Sequence, residues 1–95
     1  MSKSVKESPL YKHIDEILWN DWDPIGVNDT EAARDEYHSY IPSLYEKLIK
    51  GCDVKGLSTY LDHIETVNIG LEGNHQKNIE IAEKLINIRN ELNTF

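Results

Sequence analysis

Two short patterns in this chain have the spacing of metal sites. Asp21-Trp22-Asp23-Pro24-Ile25-Gly26 sets acids at the first and third places and glycine at the sixth, as the calcium loop of an EF-hand does. The match then fails, because Ile25 offers no side-chain oxygen at the fifth place and Ala32 stands where a bidentate Glu is needed, with Glu31 one place out of register. A turn is the better reading of that stretch. His13-x-x-Glu16 and Asp35-x-x-His38 each put a histidine and a carboxylate on one helical face, the spacing used in di-metal helical bundles. Such bundles need further inward-facing carboxylates, whereas Asp15, Glu16 and Asp35 fall on or beside polar faces, so solvated surface is expected and no metal or cofactor is assigned. His63 and His75 form no metal-spaced cluster. Ser39, Ser43, Ser58 and Cys52 lack a nucleophile elbow or a signature placing a base beside them, and the scattered glycines form no phosphate-binding loop. The chain is not expected to be an enzyme; a small metal-dependent enzyme built on His13, Glu16, Asp35 and His38 is the weakest of the alternatives.

Charge is the stronger signal. Residues 15–36 hold eight acids (Asp15, Glu16, Asp21, Asp23, Asp29, Glu31, Asp35, Glu36) against Arg34, which equals the net charge of −7 of the whole chain. A one-signed patch of this kind steers oppositely charged partners toward it and repels phosphate, so a basic protein is the expected partner and nucleic acid is disfavoured. Most acidic runs merely solvate a surface. Here Glu31 and Asp35 form a like-charge i,i+4 pair that weakens an isolated helix, and Tyr37 and Tyr40 adjoin the acids, a combination found at interface hot spots. The candidate partner-binding set is Asp21, Asp23, Asp29, Glu31, Asp35, Glu36, Tyr37 and Tyr40. Tyr37 also lies on an apolar stripe, where it would face the core instead. Trp19 and Trp22 are assigned to the core and to bracing the turn.

These residues need helices to hold them. Ser8-Pro9 reads as a helix start, after which Leu10, Ile14, Ile17 and Leu18 make one face of a helix ending near Asn20. Asp23, Pro24 and Gly26 take the places favoured in a type I turn. Asn28 with Glu31 resembles a capping box, and Ala33, Tyr37, Tyr40, Ile41, Leu44 and Leu48 continue the face of a second helix to a C-terminal Gly51. Pro42 falls inside that pattern and must kink or break it, with a kink preferred because the stripe keeps its register. Asp53 caps a third helix with the face Leu57, Tyr60, Leu61, Ile64 and Val67. A fourth, from about His75 to Asn93, has two stripes (Ile79-Ala82-Ile86 and Ile81-Leu85-Ile88-Leu92), a wide apolar arc that predicts the most central helix.

The expected fold is all-α, a single domain over residues 1–95 with about four helices, the second kinked or broken near Pro42, and residues 1–7 a flexible N-terminus. No apolar run approaches a membrane span or a signal-peptide core, and the one cysteine, Cys52, cannot form an internal disulfide, so a cytoplasmic location is expected.

Trp22-Asp23-Pro24-Ile25-Gly26-Val27, followed by Ala33-Arg34-Asp35-Glu36-Tyr37 and Tyr40-Ile41-Pro42, resembles a group of small bacterial helical proteins with a Trp-Asp-Pro-Ile-Gly motif. Some of these resemble immunity proteins of contact-dependent growth-inhibition systems. A weaker likeness is to the immunity proteins of nuclease colicins, small acidic four-helix domains whose Tyr-Tyr-Pro motif differs from Tyr40-Ile41-Pro42. The resemblance implies an immunity protein that neutralises a cationic toxin domain, with a nuclease as the favoured class. The alternative is a regulatory or adaptor module with a non-toxin partner.

Overall fold

The computed structural model describes residues 8–27 and 29–92, so the expectations placed on residues 1–7, Asn28 and Asn93 lie outside the described residues. Four helices carry the fold: α1 (Pro9–Ile17), α2 (Ile41–Ile49), α3 (Val54–His63) and α4 (His75–Leu92). No strand occurs among the described residues. None of the helices is long and apolar enough to cross a membrane.

α1 begins at Pro9, after an extended Ser8, and its Leu10, Ile14 and Ile17 are buried as the spacing predicts. The Ser8 hydroxyl makes no capping bond. Beyond Ile17 the chain widens into a π turn, Leu18–Trp22, closed by the Asp23 N–H on the Leu18 carbonyl at 3.0 Å. That wider turn brings Leu18, Trp19 and Trp22 all to the interior.

The second element changes from 3₁₀ to α just before Pro42. Two 3₁₀ turns, Glu31–Ala33 and His38–Tyr40, precede α2, which starts at Ile41 with Pro42 in its first turn, and the second helix is bent by 25°. Proline there removes no hydrogen bond that a helix would otherwise make. The stretch from Ala33 to Tyr40 is thus not the first half of an α-helix, as the stripe had suggested. Like charges at Glu31 and Asp35 oppose that helix, and Arg34 and Tyr37 are tied to side chains far back in the chain. At its other end α2 finishes as predicted: Gly51, with φ of 87°, bonds Leu48, and Cys52 bonds Lys47, the paired bonds of a Schellman motif.

Asp53 caps α3 by accepting the Gly56 N–H at 2.8 Å. Leu57, Leu61 and Ile64 are buried, but Val67 is 64% exposed, contrary to its place on the predicted face. A second π turn, Ile64–Asn68, adds a residue to that turn and rotates Val67 outward. α4 packs against α1, α2 and α3 and buries Asn78, Ile81, Ala82 and Leu85, the central position its wide arc predicts. Its last turn is tied to the α2–α3 junction by Arg89, which donates to the Leu48 and Cys52 carbonyls at 3.3 and 3.2 Å.

Candidate functional site

The acidic stretch folds into a corner organised by one carboxylate. Asp23 adopts a left-handed conformation (φ 34°) and its carbonyl accepts the Gly26 N–H at 3.1 Å, the closing bond of the predicted turn. Its Oδ1 accepts the Val27 N–H at 2.9 Å and the Tyr37 hydroxyl at 2.7 Å, and the Tyr37 oxygen accepts the Ile25 N–H at 3.1 Å. One acid and one phenol therefore lock the turn to the segment that follows it. The Asp23 oxygen is committed to this lock, which is what the stretch forms in place of a calcium loop.

Tyr37 is 2% exposed and packs its ring against Trp19 and Trp22, at centroid distances of 6.3 and 5.7 Å. Its assignment as a partner anchor is therefore corrected: an aromatic stripe position was the true signal, and the ring is core. Burial, reinforced by the Asp23 carboxylate, pushes its phenol well above the ordinary tyrosine range. Tyr40 is half-buried and packs on the core. Trp22 is also interior, and its indole N–H donates to Asn78 Oδ1 at 2.7 Å.

The remaining acids divide by what they touch. Asp15 receives both Arg34 guanidinium nitrogens, at 2.8 and 3.1 Å, and His38 Nε2 at 3.1 Å. Arg34 in turn lies over the Trp19 ring, 5.2 Å from its centroid, and its hydrogen bond to Asp15 raises its pKa above the usual arginine value. Asp21 pairs with Lys84 on α4 at 2.9 Å. Asp21 and Asp23 are thus engaged within the fold. Asp29, Glu31, Asp35 and Glu36 are exposed, and among the described residues only Asp29 has a side-chain partner, the Thr30 hydroxyl at 3.3 Å. These four acids form an exposed ridge along residues 29–36; Arg34, within the same segment, bonds Asp15 and also feels the nearby charge of Glu31.

The histidine–carboxylate pairs do not assemble. His13, Glu16 and Asp35 are exposed, His38 binds Asp15, and no three His, Cys, Asp or Glu side chains are grouped as a metal needs among the described residues.

One polar cluster had no forecast. Asn78, fully buried, donates through Nδ2 to Asp62 at 2.7 Å and Glu65 at 3.0 Å, while Glu65 accepts the Asn74 N–H at 2.9 Å and Asp62 meets His75 Nδ1 at 2.5 Å. With the Trp22 bond, this cluster joins the acidic corner to the facing ends of α3 and α4. The available signal was Asn78 itself, a polar residue one turn before Ile81 and Ala82 on the buried arc.

Fold and site together define a small four-helix protein with an acidic ridge on a braced corner. No protein-family model matches the chain, and no curated protein or solved structure matches it.

Proposed function

We propose that this chain is an immunity-type protein of the cytoplasm, one that binds a cognate cationic toxin domain, most simply a nuclease, and covers its substrate site with carboxylates in place of phosphates. The observation that carries this reading is the ridge: Asp29, Glu31, Asp35 and Glu36 stand exposed on a segment whose base is fixed by the Tyr37–Asp23 and Arg34–Asp15 bonds. Acids held on such a frame lose little freedom when a partner arrives, and a concentrated negative field speeds encounter with a basic surface. The Trp22–Val27 motif and its resemblance to immunity-like proteins support the same reading.

The test pairs the purified protein with a basic toxin domain encoded beside its gene and follows association by stopped flow. Reversing Asp29, Glu31 and Asp35 to lysine should lower the association rate by about tenfold or more at low salt, and the wild-type rate should fall as salt rises. Unchanged rates after reversal discard the acidic-ridge reading. A basic partner without toxic activity that shows the same loss places the chain among adaptor modules instead.

A further inference from the structure

Ile25, Ile49, Val67 and Leu71 are the large apolar side chains left exposed among the described residues, and of these Ile25 alone falls within the acidic stretch. Single exposed apolar residues are ordinary, so exposure by itself assigns nothing. The place of Ile25 says more. It is the third residue of the turn closed by the Gly26 N–H on the Asp23 carbonyl, in a kind of segment usually filled by Gly, Asn, Asp or Ser. Its backbone serves the fold, since its N–H donates to the Tyr37 oxygen at 3.1 Å. Its side chain, 39% exposed, lies outside the core. The turn that carries it starts at Asp23, the one non-glycine residue of positive φ among the described residues, and is tied down by the Asp23 bonds to Val27 and Tyr37. A strained backbone persists only where its surroundings hold it. The tip of this loop is fixed, and what it presents is an isoleucine.

Acids flank the tip. Asp29 lies in the next turn, closed by the Thr30 N–H on the Val27 carbonyl at 2.9 Å. The Glu36 carboxylate is near enough to the Tyr37 phenol for its charge to add to burial and the Asp23 bond in keeping the phenol protonated, and that same oxygen holds the Ile25 N–H. We infer that Ile25 is the apolar anchor of the partner-binding surface, entering a small apolar pocket on the partner whose rim carries lysine or arginine for Asp29 and Glu36. A β-branched side chain on a fixed backbone has little freedom to lose on burial, and the acids beside it penalise a pocket with an acidic rim. The ridge then governs how fast the partner arrives, and Ile25 how long it stays. The inference rests on the proposed reading for the existence of a basic partner.

A β-cyclodextrin with an amine at every primary position is a soluble apolar cavity with a cationic rim. It is titrated at millimolar concentration into ¹⁵N-labelled protein and followed by NMR, with unmodified β-cyclodextrin as the neutral comparison. Amides of residues 25–27 should respond at concentrations about fivefold lower with the amino host than with the neutral one, and before the amide of Ile49. Ile25→Ser, an ordinary turn residue at an exposed position, should leave the urea midpoint unchanged and abolish the response of this corner. An equal response at Ile49, or binding that survives Ile25→Ser, overturns the inference. In the complex with the basic toxin domain encoded beside the gene, Ile25→Ser should raise the dissociation rate about tenfold and leave the association rate within about twofold of the parent. An unchanged dissociation rate overturns the anchor alone. An association rate untouched by reversal of Asp29, Glu31 and Asp35, in a complex whose dissociation still responds to Ile25→Ser, overturns the acidic-ridge reading alone.

Discussion

Tyr37 and Asp23 show how a residue type that invites a binding interpretation is consumed by the fold. The phenol donates to a carboxylate that also holds the Val27 N–H, so removing the hydroxyl leaves Asp23 with one donor fewer and the Ile25 N–H without its acceptor. Tyr37→Phe should cost about 1 kcal/mol at neutral pH, at the low end because the site is only partly buried and water can substitute. The same bond sets a pH dependence. A phenol whose proton is harder to remove in the folded chain contributes stability that is complete below the unfolded value, about 10, and is lost as the pH rises above it. Urea midpoints should fall as the pH is raised from about 9 to 11.5, and the fall should be shallower in Tyr37→Phe; parallel curves would separate the high-pH loss from this residue. Asn78 carries more. Its replacement by Leu strands the Trp22 indole N–H and takes a donor from both Asp62 and Glu65 in the interior, so a loss of about 3 kcal/mol is expected in thermal or urea unfolding.

At the scale of elements, the ends of helices were legible wherever the signal is local. Pro9 starts α1, Gly51 stops α2 and Asp53 caps α3, each through bonds reaching no more than five residues. Asp53→Ala should therefore cost about 1 kcal/mol, and the matching loss should appear as earlier fraying of α3 in amide exchange. Residues 31–40 were not legible as 3₁₀ turns, since their path is set by tethers to Asp15 and Asp23, 19 and 14 residues away in sequence. A periodic stripe reports which side chains face inward, and it did so for Tyr37, Ile41, Leu44 and Leu48. It does not report whether the backbone between them is α or 3₁₀. Pro42 supplies the check on that distinction. In a helix interior proline costs about 3 kcal/mol, so Pro42→Ala would stabilise the protein substantially if a kinked helix ran through it. In the first turn of α2 the change should stay below about 1 kcal/mol in either direction, as measured by urea unfolding.

For the whole molecule the question is what an unbalanced charge costs. Asp15 and Asp21 are paired with Arg34 and Lys84, and Asp23 is hydrogen-bonded within the fold, so the exposed acids of residues 15–36 that remain are Glu16 and the four of the ridge, of which Glu31 lies within reach of the Arg34 charge. The composition placed this excess within a 22-residue stretch, and the structure takes Asp15 and Asp21 out of it by pairing them. Sequence alone could not make that division, because Lys84 reaches Asp21 across 63 residues and no local pattern announces the pair. If the ridge only solvates the surface, neutralising it should be nearly neutral for stability. If it is kept for a partner, the free protein carries self-repulsion that a partner relieves, and removing the acids should stabilise it. Asp29→Asn, Glu31→Gln, Asp35→Asn and Glu36→Gln together remove four negative charges from a chain of net charge −7. The quadruple variant should be more stable than the parent by about 1 kcal/mol at low salt. The gain should shrink toward zero as salt rises to about 0.5 M, because screening removes repulsion between exposed groups and leaves hydrogen-bonded acids untouched. A salt-independent change would point to lost local bonds, and a loss of stability would mean that the ridge acids support the fold.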